Sequence, residues 1–138
     1  MADANASLRR TARPLSPHLQ IWRWSVTMFS SIAHRVTGIV LGAGALVLAW
    51  WLIAAGLGPG DLRTFNEVAG HWFGRLVLFG FTLALMFHML NGVRHLVWDA
   101  GAGFEPVTAR RTGWAVIVIS LVLTLGTWVY AYMSMGAL

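Results

Sequence analysis

The chain has 138 residues, of which 57% are hydrophobic and only 11% charged, with a mean hydropathy of +0.66. A soluble domain carries about 25% charged residues, so this composition excludes a disordered chain, a nucleic-acid-binding tail and an ordinary cytosolic enzyme. All ten basic residues behind the net charge of +5 are arginine, which reads as membrane orientation rather than DNA affinity, and the lack of cysteine excludes disulfides, a thiolate zinc site and a cysteine-ligated iron–sulfur cluster.

The N-terminal segment, residues 1–28, holds Arg9, Arg10, Arg13 and Arg23. It lacks the short apolar run that follows the basic start of a secretory signal. Pro14 and Pro17 forbid a continuous helix there; the segment is expected either on the cytoplasmic surface, available to a soluble partner, or as a flexible tail. Three charge-free runs follow: Val36 to Gly60, Leu76 to Val93 and Thr112 to Leu138. Each approaches or exceeds the roughly 18 apolar residues of a transmembrane helix. They predict an all-α membrane protein, one domain over residues 1–138, with helices at about 29–56, 73–98 and 112–136. Gly58, Pro59 and Gly60 mark a turn in the first loop. Eight arginines fall on the N-terminal side and two, Arg63 and Arg75, on the other. The positive-inside rule then puts the N-terminus in the cytoplasm. Eight tryptophans suit interfacial aromatic belts.

Ionisable residues in membrane helices are functional candidates. In the first span Ser31, Arg35, Gly38 and Gly42 share a face. Gly38 and Gly42 form a G-x-x-x-G pair that permits close helix approach. Arg35 either sits at the membrane boundary or meets an anion. In the second span Ala84, His88, Asn91, Gly92 and His95 form one stripe. A lone histidine in a helix core is usually hydrogen-bonded packing. Gly92 one turn from His88 leaves the flat space a haem needs beside its axial ligand. Arg94 and His95 at the cytoplasmic end, with Arg35 and His34, suit the haem's anionic propionate edge. Trans haem ligands hold their nitrogens only about 4 Å apart, so His88 and His95, two turns apart on one helix, cannot serve together. His71 lies at the outer end, too far away; His34 is a possible second ligand but sits near the boundary. The simplest second ligand is a histidine from another subunit. Ser120, Thr124 and Thr127 on the third span read as helix packing.

Two segments carry a family resemblance. Residues 13–19 (Arg-Pro-Leu-Ser-Pro-His-Leu) lead into residues 31–38 (Ser-Ile-Ala-His-Arg-Val-Thr-Gly), and residues 88–95 (His-Met-Leu-Asn-Gly-Val-Arg-His) precede Trp98 and Asp99. This pattern, with the three-span layout, resembles the cytochrome b subunits of succinate dehydrogenase over nearly the whole chain. The resemblance implies a haem b-binding anchor, half of a heterodimeric membrane bundle. It makes His88 the axial haem ligand, with one haem b shared with a partner subunit. Ser31 and Arg35 become quinone-binding residues, with ubiquinone the substrate. His34 lies by the propionates, and Arg35, Gly92, Arg94 and His95 complete the haem pocket. Asp99 matches an acidic position without an assigned role. No catalytic residue for succinate oxidation is expected, since a flavoprotein subunit and an iron–sulfur subunit carry that chemistry. A second small anchor subunit supplies the other haem ligand. The short N-terminal segment without a long Arg/Ser-rich presequence favours a bacterial inner membrane over the mitochondrial one. A fumarate reductase-type or menaquinone-linked anchor, and a cofactor-free anchor, are the alternative readings.

Overall fold

The computed structural model describes residues 18–136. The proline-bounded stretch before His18 lies outside the described residues. Five helices follow in chain order: α1 (His18–Ile21), α2 (Val26–Leu57), α3 (Pro59–Gly70), α4 (Trp72–Asp99) and α5 (Pro106–Ser134). Among the described residues there is no strand. The chain is an all-α membrane protein, and α2, α4 and α5 are long and apolar enough to cross a bilayer.

Each long helix starts where its local sequence can satisfy free backbone N–H groups. Ser25 caps α2, its Oγ accepting from the Met28 amide at 3.2 Å. His71 caps α4 through Nδ1, which accepts from the Phe73 amide. Pro106 opens α5, where its missing N–H costs nothing. α2 spans 32 residues, about 48 Å at 1.5 Å per residue. That exceeds a hydrocarbon core of about 30 Å, so its ends reach the interfacial layers.

The segment after Leu57 departs from the expected loop. Gly58 alone makes the turn, at φ 131°, and Pro59 begins α3 rather than continuing the turn. Proline suits a first helical position, and Asp61 in the first turn complements the helix dipole. Phe65 anchors α3, packing edge-on against Trp50 with ring centroids 4.8 Å apart. The third span also starts earlier than position 112. The helix runs through Arg110 and Arg111 because its first turns project beyond the apolar stretch.

α4 packs against both α2 and α5. Gly74 permits the tight α3–α4 junction, since a Cβ there would clash with the Val68 carbonyl oxygen. The fully apolar core is small: Ala54, Phe65, Ala84, Phe87 and Val116. Polar Ser30, Asn91, Ser120 and Thr124 are buried as deeply. Ser120 and Thr124 donate to carbonyls of their own helix, as small hydroxyl residues do at close helix contacts. Large apolar side chains cover the outside of all three spans, where lipid or other membrane helices can solvate them. The helices alternate in direction. Trp22, Trp24, Trp98 and Trp114 therefore gather at one end of the bundle, and Trp50, Trp51, Trp72 and Trp128 at the other. This is the two-belt distribution of a membrane-spanning bundle.

Candidate functional site

The described histidines of α2 and α4 converge at the end of the bundle where α2 begins and α4 ends. The ring of His34 stacks on that of His88, centroids 3.9 Å apart and planes 13° from parallel. His95 follows at 5.2 Å from His34, and Trp98 packs edge-on against His95 at 5.1 Å. His34 Nδ1 is buried without a hydrogen-bond partner.

His88 is held by α2 through one nitrogen. Its Nδ1 lies 3.1 Å from the His34 carbonyl oxygen and 3.1 Å from Thr37 Oγ1. The Thr37 hydroxyl has carbonyl acceptors of its own, Ala33 at 2.8 Å and His34 at 3.0 Å. With that proton directed to the backbone, His88 Nδ1–H donates and the ring takes the Nδ1-protonated tautomer. Nε2 then carries the lone pair, and it has no hydrogen-bond partner among the described residues. A histidine whose Nδ1–H rests on a backbone carbonyl is the usual arrangement of an imidazole metal ligand. Among the described residues no cluster of histidine and carboxylate groups is placed to hold a bare metal ion.

The surroundings also fit an axial haem ligand. A Cβ built on Gly92 would meet nothing within 4 Å, so the face one turn from His88 is open. Gly38 plays a different part from the one its G-x-x-x-G spacing predicts. It faces a side chain, and a Cβ there would lie 3.2 Å from His88 Cε1. Gly42 meets nothing within 4 Å, whereas Gly44, outside the pair, receives the Phe81 ring at 2.9 Å from its would-be Cβ. Thr37 and Gly38 thus adjoin the His88 ring, a contact that spacing along the chain had not revealed. Thr37 had one signal: it sits one turn past His34.

Ser31 and Arg35 are both exposed on α2, and neither side chain makes a hydrogen bond among the described residues. They lie one turn apart on one face of α2.

Arg94 departs from its expected place beside the histidines. Six residues beyond His88 is a rotation of about 120° around the helix, and the guanidinium is turned to α5. Nε donates to Thr112 Oγ1 at 3.1 Å, Nη1 to Asn91 Oδ1 at 3.2 Å and Nη2 to the Ala109 carbonyl at 2.9 Å. Its flat face covers the Trp98 ring at 4.0 Å. Asn91 is likewise turned inward and fully buried, its Nδ2 unpartnered. The stripe predicted for α4 therefore divides: His88, Gly92 and His95 on one side, Asn91 and Arg94 on the other. His71 caps α4 at the far end, and Asp99 is exposed at the last residue of α4.

Residues 9–127 match the family model described as succinate dehydrogenase/fumarate reductase transmembrane subunit. The succinate dehydrogenase cytochrome b556 subunit of Paracoccus denitrificans is 42% identical over 127 residues, covering 92% of this chain and 95% of the relative. That of Rickettsia felis is 39% identical over 117 residues, covering 85% and 91%. The mitochondrial succinate dehydrogenase cytochrome b560 subunit of Sus scrofa is 37% identical over 119 residues, covering 83% and 69%. Three apolar spans, a histidine poised on one nitrogen and this agreement over most of the chain have one common account: the chain belongs to the succinate dehydrogenase/fumarate reductase transmembrane subunit family.

Proposed function

We propose that this chain is the haem b-binding membrane anchor of a succinate dehydrogenase, multi-pass in a bacterial inner membrane with its N-terminus cytoplasmic. It tethers a flavoprotein subunit and an iron–sulfur subunit, and pairs with a second small anchor subunit. It contributes one wall of the site where ubiquinone is reduced. The observation that carries this reading is the state of His88: Nδ1 engaged by the His34 carbonyl and Thr37, Nε2 free.

When bound, haem b supplies a one-electron redox centre. The work of this chain is to hold and surround it. His88 would hold it through Nε2, with Thr37 and the His34 carbonyl setting the tautomer and aim of the ring. Gly92 leaves room for the porphyrin face. His34 and His95 lie on the same side as His88, and Arg35 adds positive charge toward the propionates. The second anchor subunit would supply the other haem ligand. His34 lies flat beside His88 rather than across from it, His95 is two turns along the same helix, and His71 is at the other end.

Ser31 donates its hydroxyl proton to a quinone carbonyl oxygen. Arg35 balances the negative charge that develops there on reduction, which is electrostatic stabilisation by a fixed cation. The exposure of both side chains supports a site closed by the iron–sulfur subunit.

The test is a reduced-minus-oxidised spectrum of the purified complex, wild type and His88→Ala. A b-type band in the wild type that disappears in the variant is expected. An unchanged band in the variant would overturn the ligand assignment. A wild-type complex without the band would overturn the haem reading.

A further inference from the structure

Arg94 is a charged side chain only 6% exposed, within a membrane span and without a carboxylate partner among the described residues. A buried cation is expensive unless hydrogen bonds or a counter-charge replace its water. Here three nitrogens donate to three acceptors and an indole covers one face. Two of the acceptors, Thr112 Oγ1 and the Ala109 carbonyl, belong to the first turns of α5. The Thr112 hydroxyl proton has backbone acceptors in Thr108 and Ala109, leaving its lone pair for Arg94.

The position of this clamp relative to His88 gives it a consequence. His88 binds α4 to α2, and Arg94 binds α4 to α5 about 120° around the same helix. Two lateral restraints at that angle hold a cylinder against rotation about its axis, where one leaves it free to roll. The clamp is also connected to the histidines directly. The ring under Arg94 is Trp98, whose edge contact is His95, and His95 adjoins the His34 that stacks on His88.

We propose that Arg94 is a positioning residue for His88: by clamping α4 to α5 through Thr112 and Ala109, and by seating Trp98 against His95, it sets the rotation of α4 and so the aim of the axial imidazole. The inference rests on the haem reading above. It assigns Arg94 a role through geometry and not through charge on a propionate.

The experiment uses the whole purified complex, with Arg94→Gln, Arg94→Lys and Thr112→Val beside the wild type. Its readouts are the low-temperature EPR line shape of the oxidised haem, which reports the relative orientation of the axial imidazoles, and haem retention on warming. Arg94→Gln and Arg94→Lys are both expected to change the line shape. Both are expected to lose haem about tenfold faster, the scale of one lost charge-assisted hydrogen bond. Lysine keeps the charge but offers neither the planar fork nor the stacking face. Thr112→Val leaves Arg94 and its charge in place and is expected to shift the line shape the same way, by less.

A line shape restored by Arg94→Lys would overturn the proposal in favour of a charge effect. An unchanged line shape in Arg94→Gln, with faster haem loss alone, would overturn it in favour of a structural role. If Arg94→Gln does not assemble, an unchanged line shape in Thr112→Val overturns it. A wild-type complex without any haem signal would instead defeat the haem reading on which the proposal rests.

Discussion

His34 holds His88 twice. Its ring lies flat on the His88 ring at 3.9 Å, and its carbonyl oxygen accepts from His88 Nδ1 at 3.1 Å, across 54 residues of sequence. The side chain of His34 can be exchanged without removing the carbonyl bond. His34→Phe is therefore expected to keep the tautomer of His88 and its stacking, while His34→Ala leaves a gap on one ring face. Haem content of the purified complex is expected to be near normal in His34→Phe and reduced in His34→Ala. Equal loss in both would show that the nitrogen of His34, and not its ring face, is what matters.

Thr37 supports the same nitrogen. Thr37→Val keeps the shape and removes the hydroxyl, and a lost outer-layer partner typically costs about 10–100-fold in metal affinity. Haem affinity is expected to fall by about tenfold, since the carbonyl bond remains. Thr37→Ser is expected to restore it. Haem titration of the detergent-solubilised complex, read by absorbance, checks both.

Gly38 and Gly42 have the same neighbours in sequence pattern and different ones in space. A Cβ on Gly38 would press on His88 Cε1 at 3.2 Å, whereas one on Gly42 would meet nothing of this chain within 4 Å. Gly38→Ala is expected to displace the imidazole by a few tenths of an ångström and shift the haem absorption maximum. Gly42→Ala is expected to leave that maximum unchanged. Matching spectra for the two variants would contradict the assignment of Gly38 to His88.

Gly74 tests the α3–α4 junction. Its would-be Cβ clashes with the Val68 carbonyl oxygen and lies 2.7 Å from that of Ala69. Backbone cannot give way as a side-chain tip can, so Gly74→Ala is expected to destabilise the chain by about 1–3 kcal/mol. Gly80→Ala, with open space around it, is the matched control. Thermal denaturation of the purified complex distinguishes them, the first melting lower and the second as wild type.

Arg35→Ala is expected to lower quinone reduction by about a hundredfold or more, the scale seen when one donor to a developing negative charge is removed. Succinate oxidation with an artificial acceptor taking electrons upstream of quinone is expected to stay normal. Arg63→Ala is the control. Its ion pair with Glu67 is exposed, and such pairs contribute about 0–1 kcal/mol. A quinone reductase activity unaffected by Arg35→Ala would remove Arg35 from the quinone site.

The three spans, the all-α class and the singular character of His88 are legible in the sequence because they depend on composition and on spacing along one helix. A run of apolar residues long enough for a bilayer needs no partner to be recognised. An ionisable residue inside it stands out at once. The α3 helix was hidden by its own start: a Gly-Pro-Gly string reads as a turn, yet only Gly58 has the positive φ of one. The first turns of α5 were hidden by Arg110 and Arg111, which bound the apolar run without ending the helix.

The direction of each side chain was decided by the tertiary structure alone. In water, a helix displays its buried side as an apolar stripe against a polar one. In lipid both sides are apolar, so the pattern leaves the rotation of the helix open, and close packing of small residues with a few hydrogen bonds selects it. That is why Thr37, 51 residues from His88, becomes its partner. It is also why Arg94, next in sequence to His95, turns instead to Thr112 and Ala109 of α5.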